Sequence, residues 1–262
     1  MAASPTPAAN AVATLVYTSG TTGMPKGAVH GFESFAYTAR TVEEIIHLTA
    51  DDRALSYLPL AHVAERCIVE GPSIRVGSRI FFAESLNTFL ADLQRARPTF
   101  FFSVPRLWVK FQQGVFAKMP PRKLEVLMAI PILGGIVKKK ILRQLGLDSV
   151  RFAGTAAAPI PPEVLSWYLR LGLELLEAYG MTEQFGTATC TMPGRGRVGY
   201  VGHAVGCCEV KLGSDGEVLT RGPAHMQGYF KETDKTRETI TGDGWLKTGD
   251  IGEVDRDHRL KI

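Results

Sequence analysis

The sequence predicts an α/β protein with a doubly wound, mostly parallel sheet and flanking helices, followed by a small antiparallel β subdomain. Three observations support this prediction. Strand-like and helix-like segments alternate from residue 54 to residue 104, which is typical of crossover βαβ units. The run Phe100-Phe101-Phe102 is apolar at consecutive positions, as in a strand that is buried on both faces. From Gly194 onward the segments shorten, and glycine-rich turns separate them.

The composition is that of a globular protein. The 262 residues, 45% of them hydrophobic, can bury the core of one large or two ordinary domains. We predict a disordered leader over residues 1–12, an α/β unit over residues 13–193 and a small β-rich unit over residues 194–262.

The predicted elements follow the hydrophobic pattern in chain order. A strand over residues 13–17 leads into a glycine-rich run, and apolar residues at helical spacing predict a helix over residues 32–48. Further strands are predicted over residues 54–60, 79–83, 99–104, 150–153 and 173–178. Further helices are predicted over residues 62–74, 86–97 and 162–171, with several proline-punctuated helices between residues 105 and 147.

The glycine-rich run at residues 18–27 has the composition of a phosphate-binding loop. Its sequence is TSGTTGMPKG, which offers backbone N–H groups, short hydroxyls and the charge of Lys26 to anionic oxygens. The spacing of Gly20, Gly23 and Lys26 does not match the P-loop of GTPases, so that class is disfavoured. The alternative is an ordinary surface loop rich in glycine, serine and threonine.

Two further loops follow predicted strands, where a doubly wound sheet keeps its ligands. Residues 154–159 (GTAAAP) are small enough to let a flat ring approach the backbone, although such a run is also typical of a tight turn. Residues 179–183 (YGMTE) place an aromatic ring, a hydroxyl and a carboxylate within five positions. These groups suit a base, a phosphate oxygen and Mg²⁺, respectively.

The cysteines and the N-terminus indicate a reducing compartment. Cys67, Cys190, Cys207 and Cys208 show no CxxC spacing, so they predict neither a metal site nor a disulfide framework. Residues 1–10 lack the basic and apolar regions of a signal peptide. We expect a cytoplasmic protein, with any membrane association peripheral and at the inner face.

Six runs together carry a family resemblance: residues 17–27, 57–66, 154–159, 179–183, 216–229 and 244–252. On these runs the chain resembles the acyl-CoA synthetases of the adenylate-forming (AMP-binding) superfamily, most closely the bacterial long-chain fatty-acid–CoA ligases. The resemblance implies that a fatty acid is activated with ATP to acyl-AMP and pyrophosphate, and that the thiol of coenzyme A then displaces AMP. It implies ATP, Mg²⁺ and coenzyme A as substrates and cofactors, and no nucleic-acid partner.

The resemblance also implies a role for each matching position. The ATP phosphates would be held by Thr18, Ser19, Gly20, Thr21, Thr22, Gly23 and Lys26. The adenosine would be held by Gly154, Thr155, Ala156, Tyr179, Gly180 and Asp250. Within that set Tyr179 would stack on adenine, and Asp250 would accept hydrogen bonds from the ribose hydroxyls.

The implied catalytic set is Lys26, Thr182, Glu183 and His62. Thr182 would contact the α-phosphate, while Glu183 and Thr18 would serve the Mg²⁺ site. His62 matches the family's gate between the phosphate site and the acyl and thiol tunnels. The alternative for His62 is a capping or core histidine at a strand-to-helix junction.

The chain departs from the family pattern at both ends. Members of the family carry a long region before the phosphate loop and a C-terminal domain that supplies a lysine for adenylation. We therefore expect a fragment of the large nucleotide-binding domain. Two functions remain open: the AMP-binding part of an ATP-dependent fatty-acid–CoA ligase, or a catalytically incompetent fragment that binds a nucleotide or an acyl group.

A basic segment lies within the predicted helical region. Residues 106–151 contain ten Lys and Arg against two Asp and Glu, and they include an apolar run at residues 126–137 followed by Lys138, Lys139 and Lys140. Two interpretations are open. The segment makes peripheral contact with a membrane, or the apolar run packs against the sheet and leaves the lysines in solvent. Oligomeric state and acyl chain length are not predicted.

Overall fold

Strands run through the whole length of the chain. The computed structural model describes residues 6–18 and 24–262. The strands are β1 (Val12–Thr18), β2 (Lys26–Gly31), β3 (Arg53–Ser56), β4 (Arg79–Phe82), β5 (Phe100–Ser103), β6 (Phe152–Thr155), β7 (Leu175–Tyr179), β8 (Thr189–Cys190), β9 (His203–Ala204), β10 (Glu209–Leu212), β11 (Glu217–Arg221), β12 (Gly228–Tyr229), β13 (Leu246–Ile251), β14 (Glu253–Val254) and β15 (Leu260–Lys261).

Helices connect the strands of the first two thirds of the chain. They are α1 (Phe32–Ile46), α2 (Gly71–Val76), α3 (Phe89–Ala96), α4 (Pro105–Lys118), α5 (Pro121–Ala129), α6 (Leu133–Gln144), α7 (Pro162–Leu171) and α8 (Thr233–Thr239). A π-helix (Glu65–Glu70) precedes α2, and a 3₁₀ helix (Thr182–Gln184) follows β7. Within the described residues, none of the helices has the length and apolar character needed to cross a bilayer.

The central sheet has the order β5-β6-β7-β8-β9, in which β5, β6 and β7 are parallel and the remaining pairs are antiparallel. The parallel pair β3–β4 lies beside it, since Thr99 donates a backbone hydrogen bond to the carbonyl of Arg53. The predicted α/β fold is confirmed, and its central sheet is mixed, with a parallel part (β5, β6 and β7) and an antiparallel part (β8 and β9).

Consecutive phenylalanines of β5 face opposite layers. Phe100 packs with Val42 and Ile46 of α1, while Phe101 packs with Trp108 of α4, the ring centroids being 5.4 Å apart. On the second face Tyr168 of α7 contacts Trp108 edge to face and donates a hydrogen bond of 2.9 Å to its carbonyl. Helices therefore cover both faces, as a doubly wound sheet requires.

Two predicted strands have different bounds. The strand predicted over residues 54–60 ends at Ser56, because the Leu58 N–H bonds to the Glu65 carboxylate and Pro59 has no N–H to donate. The strand predicted over residues 150–153 extends to Thr155 as β6. Its last residues pair with β5 on one side and β7 on the other, so they belong to the sheet and not to the following loop.

The chain around the glycine-rich run forms a hairpin. β1 pairs with β2 in antiparallel orientation, and Thr18 lies opposite Lys26. The sequence predicted a buried strand, a glycine-rich loop and then a helix, yet β2 lies between the loop and α1, and Leu15 and Tyr17 are exposed. An antiparallel hairpin packs one face on the core and leaves the other in water, which explains the half-buried pattern.

Hydrogen-bonded strand pairs join residues on either side of the predicted unit boundaries at residues 12 and 194. Val12 pairs with Gly31, and Asn10 accepts a hydrogen bond from Gln227, so the ordered chain begins before residue 12. β12 completes the sheet β1-β2-β12, and β9 pairs with β8. The antiparallel sheet β10-β11-β13 and the pair β14-β15 form the predicted β-rich part. The division into units stays a prediction.

An ion pair joins the amino ends of the central strands to α1. Asp52 accepts hydrogen bonds from Arg151 (Nη2 to Oδ2, 2.7 Å) and from Thr99 (Oγ1 to Oδ1, 2.6 Å). Arg151 also donates to the carbonyls of Ile46 and His47 at the end of α1. Burial raises the pKa of Asp52, but the hydrogen bonds from Arg151 and Thr99 outweigh burial and lower it to about 2.

We expect Asp52→Asn to lower the free energy of unfolding at neutral pH by about 1.5 to 3 kcal/mol, because the amide cannot replace the charge-assisted hydrogen bonds. The folded pKa of Asp52 lies below its ordinary value of 3.8, so the carboxylate stabilises the fold above about pH 4. That contribution is lost as the pH falls towards about 2. Urea unfolding at pH values from about 4 down to about 2 should show the free energies of unfolding of the wild type and of Asp52→Asn becoming equal.

The control is Asp51→Asn, which removes an exposed neighbouring charge and should change stability by less than about 0.5 kcal/mol. Equal stability of Asp52→Asn and the wild type at pH 7 would contradict this role.

Candidate functional site

The carboxyl ends of β6 and β7 meet at one edge of the central sheet. These parallel neighbours end at Thr155 and Tyr179, and a cavity of about 350 Å³ opens between the loops that follow them. Ligands of doubly wound sheets bind at such edges. The cavity is lined by residues 155–160, residues 177–181, Gly199, Val201, Asp250 and Ile262.

An aromatic ring and a carboxylate from different parts of the chain meet in this cavity. Tyr179, at the end of β7, donates a hydrogen bond of 2.7 Å from its hydroxyl to Oδ2 of Asp250 on β13. Burial raises the pKa of Tyr179, so the hydroxyl remains a donor at neutral pH. Thr248 holds the backbone of Asp250, since its Oγ1 accepts from the Asp250 N–H and donates to the carbonyl of Val218. An aromatic face and a carboxylate suit a nucleoside base and its ribose.

Two glycines allow backbones to come close beside the cavity. A Cβ at Gly180 would lie 2.5 Å from the carbonyl group of Gly186. A Cβ at Gly154 would lie 2.7 Å from the ring of Phe102. Of the residues that the resemblance assigned to adenosine, Thr155, Ala156, Tyr179, Gly180 and Asp250 line this cavity, whereas Gly154 lines the apolar pocket behind it.

A second group of predicted residues gathers around the 3₁₀ helix after β7. Glu183 is 5% exposed, and its Oε1 accepts a hydrogen bond of 2.6 Å from the hydroxyl of Tyr229 on β12. The ammonium of Lys26, the first residue of β2, lies 4.7 Å from the centroid of the same tyrosine ring. Thr18 pairs with Lys26 across the hairpin. Tyr229 thus contacts both the predicted phosphate-binding lysine and the predicted Mg²⁺ ligand.

The buried His30 contacts the 3₁₀ helix Thr182–Gln184. His30 on β2 donates from Nε2 to the carbonyl of Thr182 over 2.8 Å and packs edge to face on Phe185 at 4.8 Å. Burial lowers the pKa of His30 to about 4, so the imidazole is neutral at pH 7. Its neutral state leaves Nδ1 without a proton, and that atom has no partner among the described residues. The role of His30 is to position Thr182.

An apolar pocket of about 70 Å³ lies behind the cavity, between α1 and the central sheet. Its walls include Val42, Phe102 and Leu176. Ala156 and Ala178 line both spaces. The two spaces are therefore neighbours, with two small side chains between them.

The remaining predicted residues are those of the glycine-rich run and His62. Ser19, Gly20, Thr21, Thr22 and Gly23 lie outside the described residues. His62 is exposed, and its Nδ1 accepts a hydrogen bond of 3.1 Å from the Ala64 N–H. This is the capping role that the sequence left open as the alternative, and the gate role stays a prediction.

The histidine, cysteine and acidic side chains do not form a metal centre of their own. Across residues 6–18 and 24–262, no three or more of them are grouped so that they could hold a metal ion. The four cysteines are free thiols, of which Cys67 and Cys190 are buried. A cation at Glu183 would thus need ligands from a bound phosphate, which is how Mg²⁺ is commonly held.

The sequence missed three residues of this region: Tyr229, His30 and Glu177. Tyr229 ends one of the resembling runs, but nothing in that run indicates its distant partners. His30 is itself one of the buried positions of β2 and could have been recognised only as a core position. Glu177 lines the cavity, and burial raises its pKa to about 7, which depends on packing that a sequence does not report.

The family model for AMP-binding enzymes matches residues 2–230 of the chain. A protein of Mycobacterium tuberculosis (strain H37Rv), provisionally named fatty-acid–CoA ligase fadD11, is 33% identical over 280 residues, covering 96% of this chain and 49% of the relative. Long-chain-fatty-acid–CoA ligase 5 of Mus musculus is 36% identical over 282 residues, covering 95% of this chain and 41% of the relative.

Solved structures share the fold. A malonyl-CoA ligase with methylmalonyl-CoA and AMP bound superposes with a TM-score of 0.77 at 28% identity, covering 97% of this chain and 53% of that one. The chain spans about half the length of the relatives it matches. Because the family model matches residues 2–230 of the 262, the chain belongs to the AMP-binding enzyme family.

Proposed function

We propose that this chain is the nucleotide-binding part of an ATP-dependent ligase that activates a fatty acid to acyl-AMP and then to acyl-CoA. The observation that carries the proposal is the cavity that holds the hydrogen-bonded pair Tyr179 and Asp250 and adjoins an apolar pocket across Ala156 and Ala178. The relatives are named fatty-acid–CoA ligases, which agrees with this pairing of a nucleoside cavity and an apolar pocket.

The adenosine occupies the polar cavity. The base lies on the Tyr179 ring beside Thr155 and Ala156, and the ribose hydroxyls donate to Asp250. Oδ2 of Asp250 already accepts from Tyr179, so the hydrogen bond fixes the carboxylate before the nucleotide arrives. A group that is held in place in the free protein loses less entropy when it binds its ligand.

The phosphates lie towards Lys26, Thr182 and Glu183. Lys26 neutralises phosphate charge, and the Thr182 hydroxyl donates to an oxygen of the α-phosphate. The arrangement fits Mg²⁺ held by one protein carboxylate and substrate phosphates: Tyr229 occupies Oε1 of Glu183, and the second oxygen serves the ion together with Thr18. When bound, Mg²⁺ withdraws negative charge from the phosphate oxygens.

The first carbons of the acyl chain lie in the apolar pocket of about 70 Å³, with the carboxylate near Ala156 and Ala178, and the side chains of the pocket must move apart to admit the rest of a long chain. A carboxylate oxygen forms a bond to the α-phosphorus, and the bond between that phosphorus and the oxygen bridging to the β-phosphate breaks, which releases pyrophosphate. The sulfur of coenzyme A then attacks the acyl carbon, AMP leaves with the former carboxylate oxygen, and the thiol proton passes to solvent. Such transfers depend on positioning and charge neutralisation, which these residues provide.

The proposal is tested by the affinity of the chain for non-hydrolysable acyl-sulfamoyl adenosines of different chain length. Binding should tighten as the acyl group lengthens from acetyl to long-chain, because each buried methylene contributes about 0.8 kcal/mol. Asp250→Asn should weaken all members of the series alike. Affinity that does not depend on chain length would contradict an acyl site next to the nucleotide.

A second experiment measures the release of pyrophosphate from ATP in the presence of a fatty acid. Release indicates a ligase, and no release indicates a fragment that only binds.

We expect Lys26→Ala to weaken ATP binding by about 1.5 to 3 kcal/mol, since a charge-assisted contact to phosphate is lost. Calorimetric titration with ATP measures the change. Lys110→Ala removes an exposed lysine of α4 and serves as the matched control. Equal ATP affinities of Lys26→Ala and the control would count against the assignment of Lys26.

Tyr229→Phe should keep the ring beside Lys26 but remove the hydrogen bond to Glu183. We expect the gain in ATP affinity on adding Mg²⁺ to fall about tenfold, because a buried carboxylate without its donor is poorly positioned and costly to keep charged. The ATP affinity without Mg²⁺ should stay unchanged. The comparison is made by calorimetry with and without the ion, and Tyr200→Phe is the control outside this group. The role of Tyr229 is refuted if its variant retains the wild-type response to Mg²⁺.

A further inference from the structure

Helices α5 and α6 form a hairpin with an apolar outer face. Inner positions of the hairpin, Leu124, Met128 and Ile141, are buried in the core of the α/β part. A Cβ at Gly134 would lie 2.2 Å from the Met128 carbonyl oxygen, so the two helices are in close contact at the turn. The hairpin is thus fixed to the body of the protein by its inner side.

The outer side of the hairpin exposes aliphatic side chains around its turn. Ile132 is 86% exposed, Val126 is 65% exposed and Ile136 is 59% exposed. Ile130 and Leu133 lie between them and are exposed as well. Single exposed apolar residues are common on protein surfaces, but five within eleven consecutive positions mark an interaction surface.

Basic residues surround these aliphatic side chains. In the hairpin and its flanks, taken as residues 118–143 and called the basic hairpin, they are Lys118, Arg122, Lys123, Lys138, Lys139, Lys140 and Arg143. Within the described part of the chain, none of the seven is in an ion pair. The single acidic residue of the basic hairpin, Glu125, pairs with Arg170 of α7 at 3.7 Å.

The two kinds of side chain are ordered along each helix. The row Arg122, Val126 and Ile130 has a spacing of four residues and ends one residue past α5. The row Ile132, Ile136 and Lys140 has the same spacing and begins one residue before α6. In both rows the apolar residues are next to the turn, and the basic residue is the farthest from it. Four residues of helix rise about 6 Å, so each basic group lies one turn or more behind the apolar tip.

We propose that the basic hairpin is a peripheral membrane-binding surface for anionic lipid bilayers. Ile132 and its aliphatic neighbours enter the boundary between head groups and acyl chains, and the lysines and arginines one turn behind meet the lipid phosphates. The groove of about 600 Å³ beside it, between α4 and α6, carries Lys110, Lys118 and Lys140 on an apolar lining and continues the same combination of charges and apolar groups. The proposal does not depend on the proposed ligase activity.

The positive charge of the basic hairpin favours an anionic bilayer over other partners. A second copy of the chain would bring seven further positive charges against the same face, which opposes a symmetric dimer. A nucleic acid would engage the basic residues and leave the aliphatic tip in water. An anionic bilayer complements both parts of the surface at once.

The experiment is co-sedimentation of the chain with vesicles of phosphatidylcholine alone and of phosphatidylcholine with phosphatidylglycerol, at about 0.1 M and about 1 M salt. We expect binding to the anionic vesicles at low salt, with little binding to neutral vesicles and a marked loss at high salt. Replacing Lys138, Lys139 and Lys140 by Gln should weaken binding by about 100-fold, since each basic residue near the surface contributes about fivefold. Replacing the exposed Lys231, Lys247 and Lys261 by Gln removes the same charge elsewhere and should change binding by less than about fivefold.

A second variant tests insertion separately from charge. Ile132→Asn with Ile136→Asn should weaken binding to anionic vesicles about tenfold or more, while circular dichroism and thermal unfolding stay those of the wild type, because both side chains are exposed. Asn also tolerates the positive φ of 66° at position 132. Three results would overturn the proposal: no binding to either vesicle, equal binding to both, or loss of binding in the lysine variant but not in the isoleucine variant. The last result would indicate a general anion surface, such as one for nucleic acid.

Discussion

The hydrogen bond of 2.6 Å from Tyr229 to Glu183 joins parts of the chain that are far apart in sequence. The segment that ends in Tyr229 lies between two others, since the Gln227 N–H bonds to the carbonyl of Val29 on β2 and the Met226 N–H bonds to the carbonyl of Glu183. β2 carries Lys26 and His30, and the 3₁₀ helix carries Thr182 and Glu183. His30 and Glu183 are buried, and their hydrogen bonds, together with the contact of Lys26 with the Tyr229 ring, hold these elements together in the ligand-free protein.

The adenosine side of the site depends on a different constraint, the parallel alignment of β6 and β7. Parallel neighbours place Thr155 and Tyr179 at one edge, and Asp250 reaches that edge from the antiparallel sheet. The apolar pocket lies on the other side of Ala156 and Ala178, where larger side chains would separate the two spaces. Small residues at these two positions are therefore as important to the proposed chemistry as the charged ones.

Much of this arrangement could be predicted from the sequence, and the exceptions have physical reasons. The alternation of strands and helices, the helix Pro162–Leu171 and the grouping of Tyr179 with Asp250 are visible as local patterns or family motifs. The hairpin β1–β2 was missed because residues 26–31 are short and mixed in character, and their strand form is set by pairing with β1 and β12. Tyr229 and His30 were missed because their partners lie 46 and 152 residues away. The two interpretations of residues 126–137 could not be separated without knowing which helix face is buried, since the hairpin has apolar residues on both sides.

The central claim is that one cavity holds the adenosine of an acyl-adenylate at the ends of β6 and β7. A crystal structure of the chain with a long-chain acyl-sulfamoyl adenosine tests it most directly. The account predicts the adenine ring on Tyr179, the ribose hydroxyls within hydrogen-bond distance of Asp250, and the acyl chain passing between Ala156 and Ala178 towards Val42 and Phe102. Adenosine bound at another edge of the sheet, or an acyl chain that leaves the cavity without entering the apolar pocket, would contradict it.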